Sequence, residues 1–111
     1  MIARLWHGWA RPDTADAYER LLRSEVLPGI HRIDGHRGAY LLRREREGRV
    51  EFVTITLFED LDAVRAFAGE DNEAAVVPPA ARALLDEFDE RSAHFEVMIR
   101  PDAGDGAPPR M

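Results

Sequence analysis

The chain has 111 residues, a hydrophobic fraction of 45%, a charged fraction of 32% and a formal net charge of −6. This is one domain of ordinary globular composition. The absence of cysteine excludes disulfides, thiol catalysis and thiolate metal sites. The 15 basic residues, all arginine, are outnumbered by 21 acids, so the electrostatic term opposes binding to a nucleic-acid backbone.

Residues 2–9 read as a first strand. Arg11-Pro12-Asp13-Thr14 opens a helix, with Asp13 or Thr14 as the expected N-cap. Tyr18, Leu21, Leu22 and Val26 recur at helical spacing, and Pro28-Gly29 is expected to stop that helix. A polar loop with His31, Asp34 and His36 follows; its spacing matches no strong zinc signature, so a solvated loop is expected and no metal. Residues 38–45 and 50–58 form a hairpin around Glu47-Gly48, whose tip charges Arg43, Arg44, Glu45, Arg46, Glu47 and Arg49 are expected to be solvated. Glu59-Asp60 opens a second helix, which Gly69 to Asn72 interrupts, and a further helix after Pro78-Pro79 turns Ala81, Leu84, Leu85 and Phe88 inward. The last strand spans 92–99, and residues 101–111 read as a disordered Pro/Gly-rich tail. No long apolar run or signal-peptide pattern is present, so no membrane partner and a cytoplasmic location are expected.

The order β-α-β-β-α(α)-β predicts an α+β, ferredoxin-like antiparallel sheet over residues 1–100, with helices on one face. Alternate side chains of a strand point to opposite faces. Val53, Ile55 and Leu57, with Phe95, Val97 and Ile99, make wholly apolar sets that would be a large exposed patch on an open sheet. A sheet-to-sheet homodimer covers them. The mixed face, with Thr54, Thr56, His94 and Glu96, then lies under the helices and lines a pocket. His94 is the candidate general base, with Glu96 as the group that tunes it, and His7 a second pocket histidine. Trp9, Tyr18, Thr54, Phe58 and Asn72 are the candidate substrate contacts, whereas Trp6 is expected to pack. Gly-rich phosphate loops, serine elbows and HExxH motifs are missing from the sequence.

Met1 to Trp9, Thr54 to Val64 (TITLFEDLDAV) and Arg91 to Val97 (RSAHFEV) resemble the dimeric α/β-barrel superfamily, in its antibiotic-biosynthesis-monooxygenase-like branch. The resemblance covers roughly residues 1–100 and implies a homodimer with one small-molecule pocket per subunit. In the oxygenase branch such pockets oxidise flat phenolic or quinol-like substrates with molecular oxygen and no cofactor, the substrate supplying the electrons. The same superfamily holds haem-degrading oxygenases, isomerases, cyclases and stress proteins. A non-oxidative isomerase or cyclase, or a non-catalytic binding dimer, is therefore the alternative. Two features depart from the branch: Leu57-Phe58 stands where aromatic oxygenases often carry Trp, and residues 72–77 lack the histidine of haem-degrading relatives.

Overall fold

The computed structural model describes residues 1–101; the expected disordered tail, apart from Pro101, lies outside the described residues. The elements are β1 (Ile2–Ala10), α1 (Pro12–Leu21), a π-helical turn (Leu22–Val26), α2 (Leu27–His31), β2 (His36–Arg46), β3 (Arg49–Phe58), α3 (Leu61–Ala68), α4 (Pro79–Arg82), β4 (Glu87–Phe88) and β5 (Ala93–Glu96). The antiparallel sheet runs β2-β3-β1-β4, with β5 also on β1, and helices cover one face. This is the expected α+β ferredoxin-like arrangement.

Local chemistry explains most element ends. Glu47 and Gly48, at φ 55° and 77°, form the two-residue turn that joins Arg46 to Arg49; two positive φ values give the type I′ twist that hairpins prefer. Asp60 caps α3 by accepting from the Ala63 N–H at 2.9 Å. The α1 cap differs from expectation. Pro12 takes the first helical position, Arg11 is the cap residue, and Asp13 and Thr14 fall inside the first turn. Thr14 instead donates to the Leu84 carbonyl at 2.9 Å, tying the helix to the segment after α4.

Pro28-Gly29 does not end the first helix. The turn before it widens, the Leu27 N–H bonding the Leu22 carbonyl, and the helix resumes to His31 with Pro28 in its new first turn. There the missing N–H costs least. The expected helix after Pro78 ends early, at Arg82. Pairing with β1 takes over: Asp86 N–H donates to the Trp9 carbonyl at 2.6 Å and Asp89 N–H to the His7 carbonyl at 2.9 Å. The segment expected to be helical thus supplies the short strand β4, and the expected last strand, 92–99, is shortened to β5 (Ala93–Glu96), with residues 89–92 between them meeting residues 73–75. There Ser92 N–H donates to the Glu73 carbonyl at 2.7 Å and Ala75 N–H to the Glu90 carbonyl at 2.9 Å.

Two core clusters lie between sheet and helices. One centres on Tyr18, Leu22, Val50, Phe52 and Leu85, the other on Ile30, Phe58, Ala63 and Val64. The hairpin charges are exposed or half-exposed, as expected, and some are paired. Arg43 lies over the Phe52 ring and binds Asp16 at 3.0 Å and Glu19 at 2.8 Å, fastening β2 to α1. Its hydrogen bond holds the Glu19 carboxyl below the usual carboxylate range.

Gly35 is a point of close approach. Its φ is +90°, and a Cβ there would stand 2.6 Å from the Cβ of Ala63. Its carbonyl accepts the Glu59 N–H at 2.7 Å, so the backbone cannot move away freely. Gly35→Ala should cost about 1–3 kcal/mol, read as a lower urea midpoint with an unchanged slope.

Candidate functional site

Strand register decides which side chains face the helices. β1 pairs with β3 through Arg4↔Thr56, Trp6↔Thr54 and Gly8↔Phe52, and with β5 through Arg4↔His94. Arg4, Trp6, Thr54, Thr56 and His94 therefore share the helix-covered face. Ala3, Leu5, His7, Trp9, Val53, Ile55, Leu57 and Phe95 share the open one. Gly8 makes room beside it: the Trp6 ring passes 3.1 Å from where a Cβ would stand.

Under the helices lies a cavity of about 60 Å³. Trp6, Tyr18, Leu22, Phe67 and Val77 form apolar walls, with Thr54, Thr56, Ser92 and Arg4 as polar groups. It adjoins a wider apolar mouth of about 320 Å³ between the first helical segment, Phe67 and residues 76–80.

Arg4 is the charged group on the cavity wall, and only 4% of its surface is exposed. Its guanidinium donates to the Asn72 carbonyl, to the Ala74 carbonyl at 2.7 Å, and to His94 Nε2 at 2.8 Å. It also sits 5.4 Å from the centre of the Phe67 ring. Burial lowers its pKa, partly offset by the charge of Glu73. Because arginine can only donate, His94 accepts at Nε2 and carries its proton on Nδ1. Burial, and then the Arg4 charge, lower the His94 pKa. Burial also raises the Tyr18 phenol well above its ordinary range. The Tyr18 ring packs against Phe52 with centroids 4.7 Å apart.

Of the residues expected in the site, Tyr18 and Thr54 line the cavity, and His94 stands behind Arg4 on the same face. His7 does not join them. It lies on the open face, its Nδ1 2.9 Å from Asp89 and its Nε2 3.7 Å from Glu51. Trp9 stacks on His7 there with centroids 5.7 Å apart, so the two tryptophans exchange their expected places: Trp6 reaches the cavity and Trp9 does not. Glu96, opposite Ile2 at the end of the sheet, is exposed. Phe58 is fully buried in the second core cluster, and touches the site only through Phe67, 5.9 Å away. Asn72 contributes its backbone carbonyl, to Arg4. Arg4, Thr56, Phe67 and Ser92 are also in the lining. Thr56 was expected on this face, and Ser92 shares it with His94 by strand alternation, whereas Arg4 was not among the expected site residues and Phe67 carries no sequence signal of its own.

Of the two loop histidines, His31 is exposed as expected and His36 is not. His36 begins β2, is buried, and faces His31 with Nδ1 to Nδ1 at 2.9 Å. Its Nε2 has no hydrogen-bond partner among the described residues. Burial and then the His31 charge lower its pKa. His36 and His94 are thus both favoured as neutral in the fold, while the unfolded chain binds their protons near pH ~6.5. Stability should fall as pH drops through that value. Urea midpoints at pH about 7.5 and 5.5 test this, and His36→Leu should lose less on acidification than the wild-type protein.

The fold recurs in solved structures. Rv0793 from Mycobacterium tuberculosis aligns at 20% identity and a TM-score of 0.61 over 91% of this chain and 98% of its own. A mutant of SnoaB from Streptomyces nogalater, a cofactor-independent oxygenase, aligns at 19% identity and a TM-score of 0.64 over 89% and 94%. MhuD from Mycobacterium tuberculosis, a heme-degrader with two hemes bound in its active site, aligns at 18% and 0.57 over 90% and 98%. No curated protein matches the chain. Residues 1–78 match the family described as antibiotic biosynthesis monooxygenase, and the chain belongs to that family.

Proposed function

We propose that the protein is a cofactor-independent oxygenase of a small planar aromatic substrate, phenolic or quinol-like, bound between sheet and helices. The observation that carries the reading is an apolar cavity between sheet and helices, walled by Trp6, Tyr18 and Phe67, with a buried cation, Arg4, on its lining. SnoaB supports it as a similar fold that is named a cofactor-independent oxygenase.

The chemistry asks little of the protein. An anthrone-type substrate gives up a proton from its ring CH₂ to water, leaving a phenolate-like anion. The anion passes electrons to O₂, the new C–O bond forms, a proton returns to the peroxide oxygen, and loss of water leaves a C=O. One CH₂ and one O₂ become one C=O and one H₂O, and all the electrons come from the substrate. Arg4 stabilises the anionic oxygen in a dry site, where a fixed charge acts most strongly. His94 supports that step by holding Arg4. Its Nε2 lone pair is already engaged, so the structure favours this role over proton abstraction by that nitrogen.

The working form is a homodimer packed sheet to sheet. Tyr40, Leu42 and Phe95 are exposed on the open face beside Val53, Ile55 and Leu57, a patch that a second copy would bury. Light scattering after gel filtration should give twice the 12.6 kDa chain mass. Ile55→Arg should shift the protein toward the monomer, and a monomeric wild-type protein would contradict the arrangement.

Oxygen-electrode assays of metal-free protein with anthrones, naphthols and hydroquinones test the activity. Uptake above the uncatalysed rate is expected for at least one class. No uptake with any of them would leave the isomerase, cyclase or binding alternatives.

A further inference from the structure

We propose that the cavity selects an aromatic ligand carrying an anionic oxygen, a carboxylate or an acidic phenolate, and that Arg4 receives that oxygen. The inference rests on the reading that the cavity is the ligand site, and it narrows the ligand by charge.

The contacts of Arg4 argue for it. Its three hydrogen-bonded partners among the described residues are neutral: two backbone carbonyls and the Nε2 of His94. The carboxylate that influences it, Glu73, acts from a distance and lies 3.5 Å from Arg91. A buried cation satisfied in hydrogen bonds but not neutralised is costly, and an anion arriving beside it recovers part of that cost. A guanidinium has five N–H groups. Three are used by Asn72, Ala74 and His94, which leaves two for a ligand.

The surroundings fit such a ligand. Arg4 and Ser92, both nearly buried, share the cavity lining with Thr54 and Thr56, whose hydroxyls can hold a second polar substituent. Phe67 and Trp6 offer faces for a flat ring. Arg4 could instead serve only to pin residues 72–74 over the sheet. In that case the charge of a ligand would make no difference to its affinity, whatever its shape.

Two probes of nearly equal shape separate these. Titration calorimetry at pH about 7.5 with 1-hydroxy-2-naphthoate and 1-hydroxy-2-naphthamide compares an anion with its neutral isostere. The wild-type protein should prefer the carboxylate by roughly 10- to 100-fold, the range of a hydrogen bond to a charged group. Arg4→Met should remove that preference by weakening the carboxylate alone, and Arg4→Lys, which keeps the charge, should retain part of it. The wild-type ratio needs no variant to fold. Equal affinities, no binding of either probe, or a preference that survives Arg4→Met would each overturn the proposal. A preserved preference without oxygen uptake on any substrate would refute the oxygenase reading and leave this one standing. Oxygen uptake without the preference would do the reverse.

Discussion

Arg4→Met is expected to lower kcat for oxygenation by roughly 10²–10³-fold, the usual cost of removing one preorganised donor from a developing oxyanion. Arg4 is 4% exposed on a strand between β3 and β5, and its head group is fixed by Asn72, Ala74 and His94 before any ligand arrives. A charge already oriented needs no reorganisation when the substrate ionises. Methionine keeps much of the side-chain volume and removes the charge, so the loss should fall on kcat more than on packing. Steady-state oxygen uptake, with circular dichroism to confirm the fold, reads the effect. A variant with unchanged kcat would mean that the substrate anion forms elsewhere.

Phe52→Ala is expected to cost about 3–5 kcal/mol of stability, the usual range for removing a fully buried phenylalanine. Phe52 is completely buried on β3, stacked at a tilt against Tyr18 with Arg43 over its other side. Its loss opens a void between α1 and the sheet that neither element can close, because Arg43 and Thr14 hold the helix in register. A shift in the urea midpoint at constant slope measures it. A cost below about 1 kcal/mol would mean that the helix collapses onto the sheet.

These expectations show where sequence was enough and where it was not. The β-branched and aromatic run from Val50 to Phe58, the Glu47-Gly48 turn and the Asp60 cap each encode their structure locally, and the element order then restricts the sheet to one familiar topology. β1 is different. Its two faces, Ile2-Arg4-Trp6-Gly8 and Ala3-Leu5-His7-Trp9, each mix an aromatic with a charged or titratable residue. Alternation alone cannot say which is inward. Register with β3 and β5 settles it, and that is set by long-range pairing. Hence Tyr18 and Thr54 were legible as cavity-lining residues from their own elements, while His7 and Trp9 lie on the other face of the sheet. Arg4 is absent from the expected site residues for a related reason: arginine is rarely buried, and only its partners, 68 to 90 positions away, make its burial tolerable. The short strand β4 was equally hidden, because residues 83–88 follow a helical pattern and yield it to backbone pairing with β1.

The central claim is that chemistry occurs on the helix-covered face and not on the open one. Oxygen uptake by Thr54→Phe and by His7→Ala, each against wild type on the best substrate of the panel, tests it most directly. Thr54 points into the cavity, and phenylalanine suits a strand, so the first variant should fold with its cavity filled. His7 lies on the other side of the sheet. The account predicts that Thr54→Phe loses nearly all activity and that His7→Ala stays within about twofold of wild type, a remote surface change being close to neutral. Full activity in Thr54→Phe, or its loss in His7→Ala with the dimer intact, would contradict it.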